Sequence, residues 1–513
     1  MRLFSTVALL CLLLLPTSTL QAQTDAETQK KELDTFIEKG MKDWKLPGLS
    51  IVVVKDDKLV YLKGFGIRTL GDPALVDADT QFGIMSTTKA MTALSIAMLV
   101  DEGKIKWDDP VTKYLPWFQM PTPYLTEEVT VRDLLRHNTG LGNADLLWGR
   151  ADLNTHEILT RLRYLQPAYS LRSSFIYQNV MYGAAGEVIA AASGMSWEQF
   201  VATRILKPLE MNHSYATLAL SLASKDSNRS SAHFEINNQL RVIRDVPVDN
   251  VPAAGATWST ANDMGHWLRF LLAGGQYNGK RLVSEENFHQ LFSPQALIAP
   301  DNFYPSTALT KPHWTAYGLG WFLQDYRGKF VAMHTGSMDG RTALIGLLPD
   351  EQLGVYVFGN ADHVELRHAI MLKVFDLYTG APARDWSADL LKLYGDGKAT
   401  QAKVASDLEK TRIAGTRPSL SLQSYAGTYV HPAWGDLVIT EQKGKLKIRI
   451  GVGAENEGVL QHWNYDSFRT RLGDGRYGWS TTQFALAPDG TVASVSMENS
   501  DEYRFTRKPK EKK

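Results

Sequence analysis

Apolar positions along this chain fall into three kinds of pattern, and their order outlines an architecture. From 26 to 44 they recur at helical spacing, at Leu33, Phe36, Ile37 and Met41, which predicts an amphipathic helix. The next stretch, LPGLSIVVVKDDKLVYLKGFGI, holds two strand-like runs around Asp56-Asp57 and predicts a hairpin. Residues 86–103, STTKAMTALSIAMLVDEG, are apolar nearly all round, the mark of a helix buried on every side. Helical spacing returns at 129–137, 183–193, 197–205 and 261–273, and strand-like runs at 342–348 and 353–358. Strands, a long helical middle and strands again predict an α/β (α+β) domain with one sheet assembled from both ends of the segment.

The pattern changes after 380. Residues 381–418 are charged, partly helical and end in Gly and Pro, as a linker would. From 419 to 508 short alternating runs dominate (DLVIT, KLKIRI, EYRFTRK), with a turn at Asp489-Gly490, and predict a small antiparallel barrel or sandwich. At the other end, Arg2, an apolar run from Val7 to Leu15, the breaker Pro16 and Ala22 have the layout of a cleavable export signal over 1–22. That run is too short for a stable bilayer anchor, so the expectation is a secreted, periplasmic protein with no integral membrane anchor after cleavage.

Composition narrows the chemistry. Lys plus Arg and Asp plus Glu both total 55, so no net field favours polyanions, and nucleic acid is not an expected partner. The one cysteine, Cys11, lies in the leader, which removes disulfides, thiol nucleophiles and thiolate metal sites from the mature chain. There is no Gly-x-Ser-x-Gly elbow and no phosphate-binding loop. His156-Glu157 opens a zinc-helix pattern, but Thr160 stands where its second histidine belongs. No metal and no organic cofactor is expected.

Ser86 remains. A serine at the start of a buried helix sits among free backbone N–H groups that stabilise developing negative charge. Lys89, one turn on, reaches the same face, and an apolar setting lowers a lysine's pKa towards that of a useful base. By itself the pair reads equally as an N-cap serine and a surface lysine.

Two further motifs give it company. Tyr177-Gln178-Asn179 follows in SSFIYQNVMYGAAGEVIAAASGMSWEQF, and His334-Thr335-Gly336 in FVAMHTGSMDGRTALIGLLPD. In that order and at such wide spacing, Ser-x-x-Lys, Tyr-x-Asn and a basic-x-Gly triplet resemble the serine β-lactamase and penicillin-binding-protein superfamily. The nearest pattern is its class C branch, which includes the CubicO-type D-aminopeptidases, DD-peptidases and esterases. KWDDPVTKYLPWF, TVRDLLRHNTGL, ILKPLEMNHS and GATWSTANDM extend the likeness over about residues 30 to 375.

The resemblance implies an antiparallel sheet flanked by helices plus a helical lobe, spanning 23–380. It implies that Ser86 attacks a carbonyl to form an acyl-enzyme and that Lys89 and Tyr177 share the proton traffic, either one serving as base. Asn179 would bind a substrate amide or the lysine. The N–H groups of Ser86 and of Ser337, on an edge strand after His334, Thr335 and Gly336, would form the oxyanion hole. Class C β-lactamases proper carry lysine where His334 stands, so steering of a substrate carboxylate should be weaker and pH dependent.

The C-terminal segment, SLQSYAGTYVHPAWGDLVITEQKGKLKIRI onward, resembles the lipocalin-like domain of CubicO-type peptidases that act on D-amino-acid peptides, where it can serve in assembly. His137 fits a structural turn after a helix. Trp148, Tyr164 and Trp314 are candidates to border the cleft. The expected activity is hydrolysis of an amide in a peptide with D-residues. The alternatives are an esterase, a weak β-lactamase, or a sensor that is acylated without turnover. A homo-oligomer through the C-terminal domain is a further expectation.

Overall fold

The computed structural model describes residues 17–149, 152–498 and 500–509. The leader expected over 1–22 lies outside them as far as Pro16; helix α1, Thr17–Asp43, begins at the next residue. It buries Leu33 and Ile37 from the predicted apolar stripe.

The hairpin forms as β1, Gly48–Lys55, and β2, Lys58–Gly66. Its turn residues Asp56 and Asp57 both take left-handed φ, 50° and 60°, which matches the twist of the flanking strands in a two-residue turn. The rest of the sheet comes from the far side of the helical block. Its strands are β3, Ala296–Leu297, β4, Thr315–Tyr317, β5, Phe322–Tyr326, β6, Lys329–Met338, β7, Arg341–Leu348, and β8, Leu353–Gly359. The order is β2-β1-β8-β7-β6-β5-β4-β3, antiparallel throughout, so the sheet is joined from both ends of the segment as the pattern predicts.

Helices cover both faces. On one lie α1 and α5, Leu366–Thr379, over Ile51, Val53, Leu344 and Val357. On the other lie α2, Thr88–Asp101, and α4, Ala261–Leu272, against Val52, Val54 and Tyr356. The helix expected from 86 starts two residues later: Met85–Thr87 forms a 3₁₀ turn first. From Thr88 to Leu99 every side chain of α2 is buried, which accounts for its lack of a polar face. A helical lobe including α3, Asn179–Ser193, completes the domain.

The segment 381–418 contains a 25-residue helix, α6, Trp386–Lys410. Its first turn is docked: Trp386 is buried and its indole N–H donates to Asp376 at 2.7 Å. Beyond it, eight strands close into an antiparallel barrel: β9, Gly427–His431, β10, Gly435–Gln442, β11, Lys445–Ile450, β12, Glu457–Asn464, β13, Ser467–Thr470, β14, Ser480–Leu486, β15, Val492–Met497, and β16, Arg504–Arg507. Closure leaves no open edge. Tyr425, Tyr429, Phe468, Phe484 and Phe505 fill the interior. The barrel docks on the first domain through Arg161, which donates to the Ala433 carbonyl at 3.2 Å, and through Arg476, 3.0 Å from Asp339.

Candidate active site

Ser86 lies in the 3₁₀ turn that feeds α2, partly exposed at the floor of a cavity of about 460 Å³ between the sheet and the helical lobe. Met85, immediately before it, has φ 47°, a left-handed conformation that costs a side-chain-bearing residue of order 1–3 kcal/mol. The surrounding packing holds that strain. Gly336 on β6 passes so close that a Cβ there would stand 2.3 Å from the Ile84 carbonyl oxygen. The third motif therefore needs its glycine for the strand to reach the serine turn.

Lys89 is fully buried. Its Nζ donates to Ser86 Oγ at 3.2 Å, to Asn179 Oδ1 at 2.7 Å and to the Ala254 carbonyl at 2.8 Å, and lies 4.8 Å from the centre of the Tyr177 ring. Burial pulls its pKa down to about 7, with Asp145 pulling the other way. At neutral pH a substantial share of this amine is unprotonated and within reach of the serine proton.

Tyr177 differs. Among the described residues its buried hydroxyl has no hydrogen-bond partner of standard geometry, and burial pushes its pKa well above the usual 10, although Ser86 lies near enough to offset part of the rise. A lysine-lowered phenolate, one of the two bases the resemblance allows, does not match this environment. His137 takes the structural place expected of it. It is completely buried, its Nδ1 accepts the backbone N–H of Gln178 at 3.0 Å, and its ring lies 4.2 Å from that of Tyr177.

The third motif sits on β6, which is not an edge strand. It lies between β5 and β7, a correction to the expected placement. The ladders explain how it still exposes backbone: β5 pairs only with 329–333, whereas β7 pairs with 332–338. Past Met333, the β5 side of the strand is free of its ladder partner.

His334 is buried, and its Nδ1 faces the Thr335 carbonyl at 2.6 Å. A carbonyl only accepts, so Nδ1 carries the proton and Nε2 accepts from the Tyr317 hydroxyl at 3.0 Å. Burial, aided by the charge of Lys89, lowers its pKa to about 3. The expected pH-dependent steering is thereby corrected: this imidazole stays neutral across the physiological range. Thr335 bonds the Tyr304 hydroxyl at 2.7 Å, and Ser337 lines the cavity.

Three contributors had no motif to mark them. Asp145 lines the cavity and accepts from Asn179 Nδ2 at 3.0 Å and from the Trp148 indole at 2.8 Å, so it turns the Asn179 carbonyl oxygen towards Lys89. Tyr304 closes the third-motif side. Arg367, on α5, donates to the Gly336 carbonyl at 2.6 Å and to Ser337 Oγ at 2.9 Å while paired with the buried Glu365 at 3.0 Å. Glu365 is held well below the usual carboxylate range, burial being outweighed by Arg367 and His368. Of the proposed aromatics Trp148 lines the cavity, whereas Tyr164 and Trp314 do not; Trp314 stacks on Phe330 at 6.2 Å.

An antiparallel sheet between helical layers, with a Ser-x-x-Lys turn pressed against its strand β6 and a closed barrel behind, defines a β-lactamase-like hydrolase fold. The chain belongs to the beta-lactamase family, whose profile matches residues 33–374; residues 411–510 match a domain of unknown function, DUF3471. Among curated proteins it is 29% identical to the unguisins hydrolase ungD of Aspergillus violaceofuscus, over 91% of this chain and 87% of that one. It is 27% identical to protein flp of Staphylococcus aureus (strain NCTC 8325 / PS 47), over 64% of this chain and 63% of that one. Among solved structures, the octameric penicillin-binding protein homologue from Pyrococcus abyssi aligns over 93% of this chain and 99% of its own, with a TM-score of 0.61 and 22% identity. SurE with D-Leu aligns over 94% of this chain and 100% of its own, with a TM-score of 0.54 and 17% identity. These structural likenesses establish the shared fold. Among the described residues no helix is long and apolar enough to cross a membrane.

Proposed function

We propose that this protein is an exported serine hydrolase of the CubicO type that cleaves an amide in a peptide carrying D-residues, with Ser86 as nucleophile and Lys89 as its base. The observation that carries the reading is the 3.2 Å approach of a fully buried Lys89 amine, with its pKa near 7, to the Ser86 hydroxyl. Ser86 Oγ attacks the carbonyl carbon and passes its proton to Lys89 Nζ. The N–H groups of Ser86 and Ser337 take the oxyanion. Collapse expels the amine, which leaves with a proton supplied through Lys89 and the protonated Tyr177 phenol. Water then cleaves the acyl-serine and regenerates Ser86.

Asn179 holds the lysine or a substrate amide, and His334, Thr335 and Gly336 shape the wall on which the substrate lies. A neutral His334 weighs against efficient β-lactam hydrolysis, since no fixed cation stands there to hold the antibiotic's carboxylate. A relative named as a hydrolase supports turnover, and a neighbour solved with D-Leu favours a substrate with D-residues. The same reading places a leader at 1–22, the hydrolase domain at 23–380, a linker at 381–418 and the barrel domain at 419–508. It also places the mature protein in the periplasm and includes a homo-oligomer through the barrel domain, for which an octameric neighbour supports the oligomer alone.

The test is to treat purified mature protein with a fluorophosphonate and a fluorescent penicillin, then to assay D-aminoacyl amides, p-nitrophenyl esters and nitrocefin with wild type and Ser86→Ala. Labelling lost in Ser86→Ala, with turnover fastest on D-aminoacyl amides, is the expected result. Labelling that survives the substitution overturns the nucleophile, and labelling without turnover of any substrate replaces the enzyme with a sensor.

A further inference from the structure

The wall of the catalytic cavity around His334 is built from rings. Phe322, on β5, lies with its ring centre 5.1 Å from that of His334, 5.4 Å from Phe303 and 4.9 Å from Tyr304, and the Tyr177 ring runs nearly parallel to it at 6.3 Å. Phe175, in the loop that leads into α3, joins the group 6.2 Å from Phe322. All five line the cavity beside Ser86; Phe303 and Phe322 are buried, whereas Phe175 and Tyr304 are half-buried.

An aromatic cluster is ordinarily core packing. This one borders the space in which the substrate reacts, and its polar atoms are already engaged within it. His334 gives its Nδ1 proton to the Thr335 carbonyl and accepts the Tyr317 hydroxyl at Nε2, while the Tyr304 and Thr335 hydroxyls bond each other at 2.7 Å. Ring carbons are what these side chains offer a ligand. A polar group set against them would leave water without gaining a partner, and an apolar group would gain from the transfer.

The place of this wall along the substrate follows from Tyr177. Its protonated phenol lies on the route that returns a proton to the departing amine, and the rings continue from it, so the leaving group comes to rest against them. Beyond Met333 the β5 side of β6 is free of its ladder, which leaves backbone groups for the substrate main chain.

We infer that this wall is a specificity pocket for the leaving group, and that it selects a large apolar or aromatic D-residue after the scissile bond over a small or polar one. The inference rests on the peptidase reading above for its substrate class, so its test reads binding apart from turnover. Ser86→Ala protein is titrated calorimetrically with D-Ala-D-Phe-NH2, D-Ala-D-Leu-NH2, D-Ala-D-Ala-NH2 and D-Ala-D-Asn-NH2. Leucine and asparagine have nearly the same shape, so that pair separates polarity from size.

The phenylalanine and leucine amides are expected to bind about tenfold or more tighter than the alanine amide, with the asparagine amide no tighter than alanine. The reversed D-Phe-D-Ala-NH2 should gain nothing over D-Ala-D-Ala-NH2. Phe175→Arg, which sets a cation in the wall, should erase the difference between leucine and asparagine and lift D-Ala-D-Glu-NH2 above D-Ala-D-Leu-NH2. Tyr304→Phe, which keeps the ring and frees the Thr335 hydroxyl, should narrow the leucine–asparagine gap while the leucine affinity stays within about twofold. Fluorophosphonate labelling of both variants in the Ser86 background reports whether they are folded. Equal affinity for the leucine and asparagine amides, or for the leucine and alanine amides, overturns the pocket, as does an unchanged leucine–asparagine ratio in folded Phe175→Arg. Binding of the reversed amide as tight as that of D-Ala-D-Phe-NH2 overturns the leaving-group assignment. If the predicted binding is present while every peptide resists hydrolysis by protein with Ser86 intact, the proposed activity fails and the pocket stands.

Discussion

Around Ser86 the chain buries Lys89, His137, His334 and Arg367 almost completely, whereas the barrel buries tyrosines, phenylalanines and aliphatic residues and turns its charges outward. On β11 the alternation is plain: Leu446, Ile448 and Ile450 point in, and Lys445 and Lys447 are exposed. Lys89 and Arg367 at the site are instead satisfied by partners distant in sequence, Lys89 by Asn179 and Ala254, and Arg367 by Gly336. One region is organised by local alternation. The other is organised by desolvated charges that are costly unless every partner is present. Perturbations should therefore act strongly and jointly in the cleft and weakly in the barrel turns.

The largest effect is expected from Lys89→Met. Acylation of Ser86 by a fluorophosphonate should slow by about 10²- to 10⁴-fold, the usual worth of a positioned base. The pH dependence of stability has a definite sign. Unfolded, this lysine holds its proton up to about 10.5; folded, it releases it near 7. Between those values the unfolded state binds more protons, so wild type should gain stability relative to Lys89→Met as pH rises through the window, read as the Tm difference at each pH.

Arg367→Ala should come next. It leaves Glu365 buried without its arginine and unties the Gly336 carbonyl, which predicts a loss of about 3–5 kcal/mol in denaturant unfolding and slower acylation in the folded fraction. Asp145→Asn keeps acceptors for Asn179 and Trp148 but removes the charge that holds the Lys89 pKa up. The limb of its pH–acylation profile should move to lower pH with little change in the plateau. Smallest is Gly490→Ala, in a barrel hairpin with φ 79° and open space around it. About 1 kcal/mol of stability and no change in acylation are expected.

The same contrast explains what could be read before folding. The β1–β2 hairpin, α2 and the barrel hairpin at Asp489-Gly490 announce themselves through local periodicity and turn chemistry, and each appears within a few residues of its predicted place. Ser86, Lys89, Asn179 and Gly336 were legible because their motifs recur in order. The structure brings them together from the 3₁₀ turn at Ser86, α2, α3 and β6. Asp145 and Arg367 were not legible, because an isolated acid in a loop and an arginine in a helix carry no periodic or motif signal. Their significance is created by tertiary contacts. The electrostatic state of His334 was hidden for the same reason, since its pKa depends on burial and on a lysine 245 positions away in the chain.

The central claim is that a desolvated Lys89, its pKa lowered to about 7, activates Ser86. The most direct measurement is the second-order rate of Ser86 acylation by a fluorophosphonate from acid to mildly alkaline pH, in wild type and in Lys89→Met. The account predicts that the wild-type rate rises through a single limb near pH 7 to a plateau, and that the limb is absent from the slow residual reaction of Lys89→Met. A rate that keeps rising towards the ordinary lysine or tyrosine range, or a limb near 7 that persists without Lys89, would contradict it.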